Sequence, residues 1–192
     1  MTEQPYHHGD LRRALLDSAR NQLESAGLEG VSVSKAAAEA SVSVAAPYRH
    51  FTDRSALLRE LAAIGFDELS ETLSRVPARS GTGERIVEAG LTYLHYADEH
   101  PQMFRLMFTA DSRPGASPAN GPRALAHLGD LVMALDDEDA LSVPVDIALR
   151  LLWACVHGLA MLRIGRMALL KGLPVEAHRP DLEAALVGVT RA

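Results

Sequence analysis

The chain of 192 residues holds one cysteine, Cys155. That excludes an internal disulfide framework and fits a reducing compartment. Aromatic residues make up only 5%, and alternating runs of β-branched residues are almost absent, which argues against half-buried strands. Met1 to Gly9 is polar and lacks the basic-then-apolar order of a signal peptide, so a cytoplasmic protein is expected. Long apolar runs are scarce too. The richest, Ile147 to Leu170, is interrupted by Arg150, His157, Arg163 and Arg166. Its uncharged core, Leu151 to Leu162, falls short of the roughly 20 residues a bilayer span needs and reads as a buried helix. Basic excess is also missing, since the net charge is −6.

What is present is helix-forming: Ala, Leu, Glu and Arg dominate, which points to an all-α fold. The charge is uneven. Met1 to Arg59 carries seven Lys/Arg and seven Asp/Glu, so the acid excess lies entirely in residues 60–192. A neutral head on an acidic body permits nucleic-acid binding by the head alone.

Gly, Pro and Ser concentrate at Pro77 to Gly83, Asp111 to Pro122 and Gly172 to Pro180, which read as loops. Between them about nine helices are expected. The first spans Asp10 to Ala26, where Leu11, Leu15, Ala19 and Leu23 form one stripe and Gly27 stops it. A short helix capped by Ser32 buries Ala36, Ala37 and Ala40, Ser41 to Ser43 turns, and a third helix carries Val44 to His50 with Pro47 in its first turn. Thr52 is read as the cap of a long fourth helix, Asp53 to Arg75, with Leu58, Leu61, Ala62, Gly65, Phe66, Leu69 and Leu73 inward. Segments 84–100, 101–109, 120–135, 143–170 and 180–189 complete the set.

Helix, short helix, tight turn, short helix is the outline of a helix-turn-helix, whose second short helix enters the major groove. Close approach needs small side chains flanked by phosphate donors. Ser43, Val44, Ala45 and Ala46 supply the first, while Lys35, Tyr48, Arg49 and His50 supply the second. Backbone N–H groups at Ser32, Ser43 and Thr52 add anion sites. The same outline also occurs in helical bundles that never meet DNA.

The stretch VSVSKAAAEASVSVAAPYRHFTDRSALL, residues 31–58, resembles the signature of the TetR/AcrR family of transcriptional regulators, with Tyr48, His50 and Phe51 in register. The resemblance implies that Tyr48 and His50 contact phosphates, that Ser43 to Ala46 face base edges and that Phe51 packs inward. Arg54 stands where the family usually has a lysine near the DNA backbone. The opening PYHHGDLRRALL is similar to one branch of the family. HPQMFRLMF from His100 and WACVHGLAML from Trp153 resemble a branch named for a Trp-His-Gly pattern, matched by Trp153, His157 and Gly158. Two departures stand out: Ser41 replaces a common turn glycine, and Ala45-Ala46-Pro47 replaces a more polar stretch, leaving few side chains to read bases. Operator preference would then lean on DNA shape and on neighbours such as Lys35.

The family fold implies residues 1–56 as a DNA-binding domain with the start of a connecting helix. Residues 57–192 then form an effector-binding and dimerisation domain, its dimer bundle built from segments 143–170 and 180–190. Gly158 and Gly165 are placed there for close helix approach. Phe66, Tyr93, Tyr96, Met103, Phe104 and Met107 are candidates to line an effector pocket or, equally, ordinary core. Trp153 and His157 share a helix face and are either pocket residues or core. Cys155 and His157 point about 200° apart, so no nucleophile–base pair forms. His7 and His8 lack a third ligand, and the acidic run Asp136 to Asp139 lacks the alternating oxygen ligands of a calcium loop. No enzyme, metal, cofactor or membrane partner is expected. The expected protein is a homodimeric repressor released from a palindromic double-stranded operator by a small apolar effector. The rival is an interaction module of the same fold without DNA binding.

Overall fold

Most stretches in which apolar residues recur at helical spacing fold as helices, and the computed structural model describes residues 8–77, 81–110, 121–167, 170 and 172–191. Among the described residues eight α-helices follow one another: α1 His8–Ala26, α2 Val33–Glu39, α3 Arg54–Ser74, α4 Thr82–Glu99, α5 Pro101–Ala110, α6 Gly121–Asp137, α7 Val145–Ile164 and α8 Arg179–Val187. Among the described residues there is no strand, only an isolated antiparallel bridge between Leu141 and Thr190. The ninth expected helix is a 3₁₀ turn, Ala46–Arg49. Its carbonyls are claimed at i+3: Ser43 O accepts from Ala46 N at 3.0 Å and Pro47 O from His50 N at 2.9 Å. Pro47 has no N–H to extend an α-helical ladder there. The His7–His8 pair and the loop 111–120 lie outside the described side chains.

Two compact units form. One comprises α1, α2, the 3₁₀ turn, α3 through Gly65, and α5 from Gln102. Here Leu15, Ala19 and Leu23 of α1 bury completely, as do Ala36 and Ala37 of α2, so the two helices pack through small side chains. Each fully buried leucine contributes about 2 kcal/mol. At Gly65 a side chain would lie 2.8 Å from Met107 Sδ and 2.9 Å from Met103, so the two methionines fill the notch that the glycine leaves.

The other unit comprises α3 from Phe66, with α4, α6, α7 and α8. α4 is its axis, packing on α6, α7 and α8. Gly90 lets α8 approach, since a Cβ there would meet Leu182 Cδ1 at 2.8 Å. A polar network ties the axis to both later helices. Arg163 on α7 pairs with both carboxylate oxygens of Asp98 on α4, and its Nη1 donates to Leu173 O at 3.2 Å and to Nε2 of His178 at 2.9 Å. His178, 1% exposed, then hydrogen-bonds Asp181 from Nδ1 at 2.8 Å. Because Nε2 accepts from a guanidinium, the proton of this imidazole sits on Nδ1.

Three helices end on non-glycine residues in the left-handed region: Ser41 (φ 57°), Asp139 (φ 53°) and Arg166 (φ 56°). In each case the next residue's N–H reaches back five positions, Val42 to Ala37, Ala140 to Leu135 and Met167 to Leu162, at 2.9–3.1 Å. These are Schellman endings. The last of them stops α7 at Ile164, short of the Leu170 that apolar periodicity predicts.

Candidate nucleic-acid interface and effector cavity

The helix-turn-helix is assembled from the first unit's core outward. Ser32 caps α2 as expected, its hydroxyl accepting from Lys35 N at 3.4 Å. Gln22, buried on α1, fixes both ends of α2. Its Oε1 accepts the Ser32 N–H at 2.9 Å, while its Nε2 donates to Ser18 Oγ at 3.0 Å and to Glu39 Oε2 at 3.5 Å. The Ser18 hydroxyl also donates to Glu39, and that bond holds the Glu39 carboxyl below its ordinary range. Phe51 packs inward at 1% exposure, with the Arg12 guanidinium 5.9 Å from its ring centre.

What remains outside is the candidate DNA face. Lys35, Ser43, Ala45 and Arg49 are exposed, Val44 is 59% and Tyr48 52% exposed, and Ser32, Ala46 and His50 are half-buried. Lys35 Nζ lies 3.9 Å from Glu39 Oε1, an exposed pair of little energetic weight. Two placements differ from expectation. Asp53, rather than the Thr52 that the sequence suggests, caps α3, its Oδ1 accepting from Ala56 N at 2.7 Å. Aspartate accepts this N–H with a full charge at the positive helix end. Arg54 turns inward: Nε donates to Val31 O at 2.8 Å and Nη2 to Leu28 O. It clamps the α1–α2 connection with the donors that the family resemblance aims at DNA.

In the second unit a cavity opens among all five helices. Leu73 of α3 lines it, with Ile86, Ala89, Gly90 and Tyr93 of α4. His127 and Leu128 come from α6, Leu152, Trp153 and Val156 from α7, and Leu182 and Ala185 from α8. Counting its open mouth, the free space is ≈ 500 Å³. Of the eight residues singled out for a ligand, Tyr93 and Trp153 line it. His157 adjoins them, stacked on Trp153 with ring centres 5.4 Å apart and its Nδ1 2.9 Å from the Tyr93 hydroxyl. Burial raises the Tyr93 phenol well above its usual range and lowers the His157 imidazole, so both are held neutral.

The other five do not line this cavity. Met103, Phe104 and Met107 are completely buried in the first unit, the two methionines against Gly65, and serve as core. Phe66 and Tyr96 are also buried, the latter with its hydroxyl 3.4 Å from Glu68 Oε2. Gly158 faces open space, and Gly165 lies beyond the last turn of α7. Sequence reasoning passed over His127. The signal was available: it sits four residues before Leu131 and one before Leu128, a polar residue on α6's apolar stripe.

Comparison with known proteins fits this architecture. The family profile described as "Bacterial regulatory proteins, tetR family" matches residues 15–61, and "Tetracyclin repressor-like, C-terminal domain" matches residues 86–185. No curated protein matches the chain. A solved protein of unknown function from Rhodococcus sp. RHA1 is 33% identical, with a TM-score of 0.84, across 98% of this chain and 100% of its own. TetR family transcription regulators from Marinobacter aquaeolei VT8 and Thermus thermophilus share the fold at 20% and 19% identity, with TM-scores of 0.70 and 0.65. The first similarity spans 95% of this chain and 96% of the relative, the second 90% and 96%. With one profile over the helix-turn-helix and another over more than half the chain, the chain belongs to the TetR family and is a DNA-binding transcription regulator.

Proposed function

We propose that the protein is a cytoplasmic homodimeric repressor whose palindromic operator is released when a small, largely apolar effector enters the cavity of the second unit. The observation that carries this reading is the double use of α7. One face gives Leu152, Trp153 and Val156 to the cavity wall. The opposite face leaves Ile147, Leu151, Ala154 and Met161 exposed, with Gly158 open among them. These positions recur at alternating steps of four and three, the spacing of a helix seam that seeks another helix.

By length and mean hydropathy, 1.6 over its most apolar window, α7 is also apolar enough to cross a bilayer. A partner copy explains the same surface with the row Ala148, Leu152, Val156, Ala160 and Ile164 packed inside the unit. Val187 on α8 is 71% exposed, another large apolar side chain left in solvent on this unit.

Pairing two chains through this face brings two helix-turn-helix segments to two half-sites. Phosphate contacts fall to Lys35, Tyr48, Arg49 and His50, and base edges to Ser43, Val44, Ala45 and Ala46, while the Ser32 N–H is already taken by Gln22 Oε1. Arg54 acts through the geometry of the head. An occupant of the cavity pushes on α7 and on Leu73 at the end of α3, and shifts the population towards arrangements that fit the operator less well.

Selection of bound duplexes from a random pool, with mass measured in solution, tests the reading. An enriched palindrome bound by a dimer, with affinity falling steeply with salt, is expected. A folded protein that enriches no sequence would favour the rival interaction module.

A further inference from the structure

The mainly apolar cavity wall includes His127, and Arg85 precedes the wall residue Ile86 on α4. Nε of Arg85 on α4 and Nε2 of His127 on α6 are both shut off from solvent, and neither has a hydrogen-bond partner. His127 belongs to the cavity wall. Arg85 acts on it electrostatically: burial first, and then the guanidinium charge, hold the imidazole below its ordinary range, with Asp130 opposing. Tyr93 of the wall differs, because its hydroxyl and the adjoining His157 already satisfy each other at 2.9 Å.

Buried polar atoms without partners cost stability, and where they persist beside a cavity a use for them is the natural account. The chemistry narrows that use. A guanidinium Nε–H donates and cannot accept, so whatever completes it must present an acceptor. Imidazole Nε2 joins as a second donor by taking the Nε2–H tautomer.

We infer that the cavity takes a small organic acid, its apolar body against Leu128, Leu152 and Val156 and its carboxylate received by Arg85 Nε and His127 Nε2. This rests on the reading of the cavity as the effector site. A carboxylate accepts from both nitrogens and offsets the guanidinium charge. A primary alcohol or amide of the same length supplies an acceptor without the charge. Binding the acid also strengthens the case for protonating His127, since the anion opposes the effect of Arg85.

Calorimetric titration with hexanoate and 4-phenylbutyrate, against hexan-1-ol and hexanamide, tests the assignment on the full chain. The parent is compared with Arg85→Met, His127→Leu and a cavity-filling Ala89→Phe, with Ala185→Phe at the half-buried rim as its substitute should the first lose its fold. The acids are expected to bind the parent at least about 10-fold tighter than the alcohol and the amide, the worth of a charge-assisted bond. Both anchor variants should lose that preference, and without ligand they should melt at or above the parent's temperature. Equal binding of acid and alcohol, or an acid preference intact in Arg85→Met, overturns the anchor; loss of all binding in the filled variant would still uphold the cavity. Acid binding that survives the filled cavity overturns the site itself. Anchor variants that melt far below the parent give Arg85 and His127 a structural role and overturn the argument. If no probe binds, the organic-acid assignment falls, while operator selection judges the regulator reading independently.

Discussion

Ser41 is the residue at which local strain is clearest. Its φ of 57° lies in the left-handed region, where an L side chain costs roughly 1–2 kcal/mol. It is held there because Val42 N and Ser41 N close the end of α2 on Ala37 O and Ala38 O, both at 3.0 Å. The absence of the family's turn glycine was legible in the sequence; that the same position must still adopt the glycine conformation was not. Ser41→Gly should therefore stabilise the protein by about 0.5–1 kcal/mol after the entropy of glycine in the unfolded chain is subtracted. Ser41→Val should destabilise it by about 1–2 kcal/mol. Urea unfolding decides, and a Ser41→Gly variant less stable than the parent would remove the strain argument.

The histidines of the second unit give a pH dependence whose sign is fixed. Burial lowers the imidazoles of His127 and His157, so between their folded values and the ordinary 6.5 the unfolded chain binds more protons. Stability then rises with pH in that window. It is fully present above 6.5 and declines as pH falls below it. Glu39 and Glu176, whose carboxyls are lowered, act only near and below 4.5 and leave this window clear. Melting temperatures should drop from pH 7.5 to 5.5, and the drop should shrink in His127→Leu and His157→Gln. An identical drop in all three proteins would show that other groups set it.

At the scale of elements, repeating apolar positions made most helices legible, and their ends were less so. α1 ends where Gly27 predicts, whereas α7 ends one turn or more early because Arg166, rather than Gly165, takes the left-handed place. Periodicity reports which face is buried and says little about where backbone carbonyls find partners. The same limit hid the network of Asp98, Arg163, His178 and Asp181, whose members lie up to 83 residues apart in sequence. Arg163 is its centre, with a side chain 9% exposed, and Asp98 is about a third exposed. Removing the arginine strands an imidazole and a carboxylate together. Arg163→Met should cost about 2–3 kcal/mol, discounted from a fully buried pair because Asp98 still meets water. Arg163→Met/Asp98→Leu should recover part of the loss. Chemical unfolding of the cycle tests this, and additive losses would mean that the two side chains act separately.

For the whole molecule, the charge asymmetry and the exposed face of α7 bear on the same question of assembly. The head was legible as a candidate DNA reader because its motif is local: cap, alanines, turn and Tyr-x-His-Phe fall within 28 residues. The cavity was not, because five helices from residues 73 to 185 contribute to it and only packing selects their members. The proposed dimer face lies between these cases, readable as an apolar helix yet assigned to its surface only once Leu152 and Val156 are seen facing the other way. Leu151, half exposed in the single chain, should tolerate aspartate with less than about 0.5 kcal/mol effect on the fold of the monomer. In a pair of chains the same aspartate meets its own copy or an apolar neighbour and must be desolvated, which costs several kcal/mol. Leu151→Asp is therefore expected to sediment as a folded monomer, to melt at a temperature independent of protein concentration, and to bind a half-site as well as a full palindrome. Lysine at the same position should act alike, since burial rather than sign is the obstacle. A Leu151→Asp protein that stays dimeric and keeps its preference for the full palindrome would move the pairing surface away from α7, and with it the link between cavity and operator.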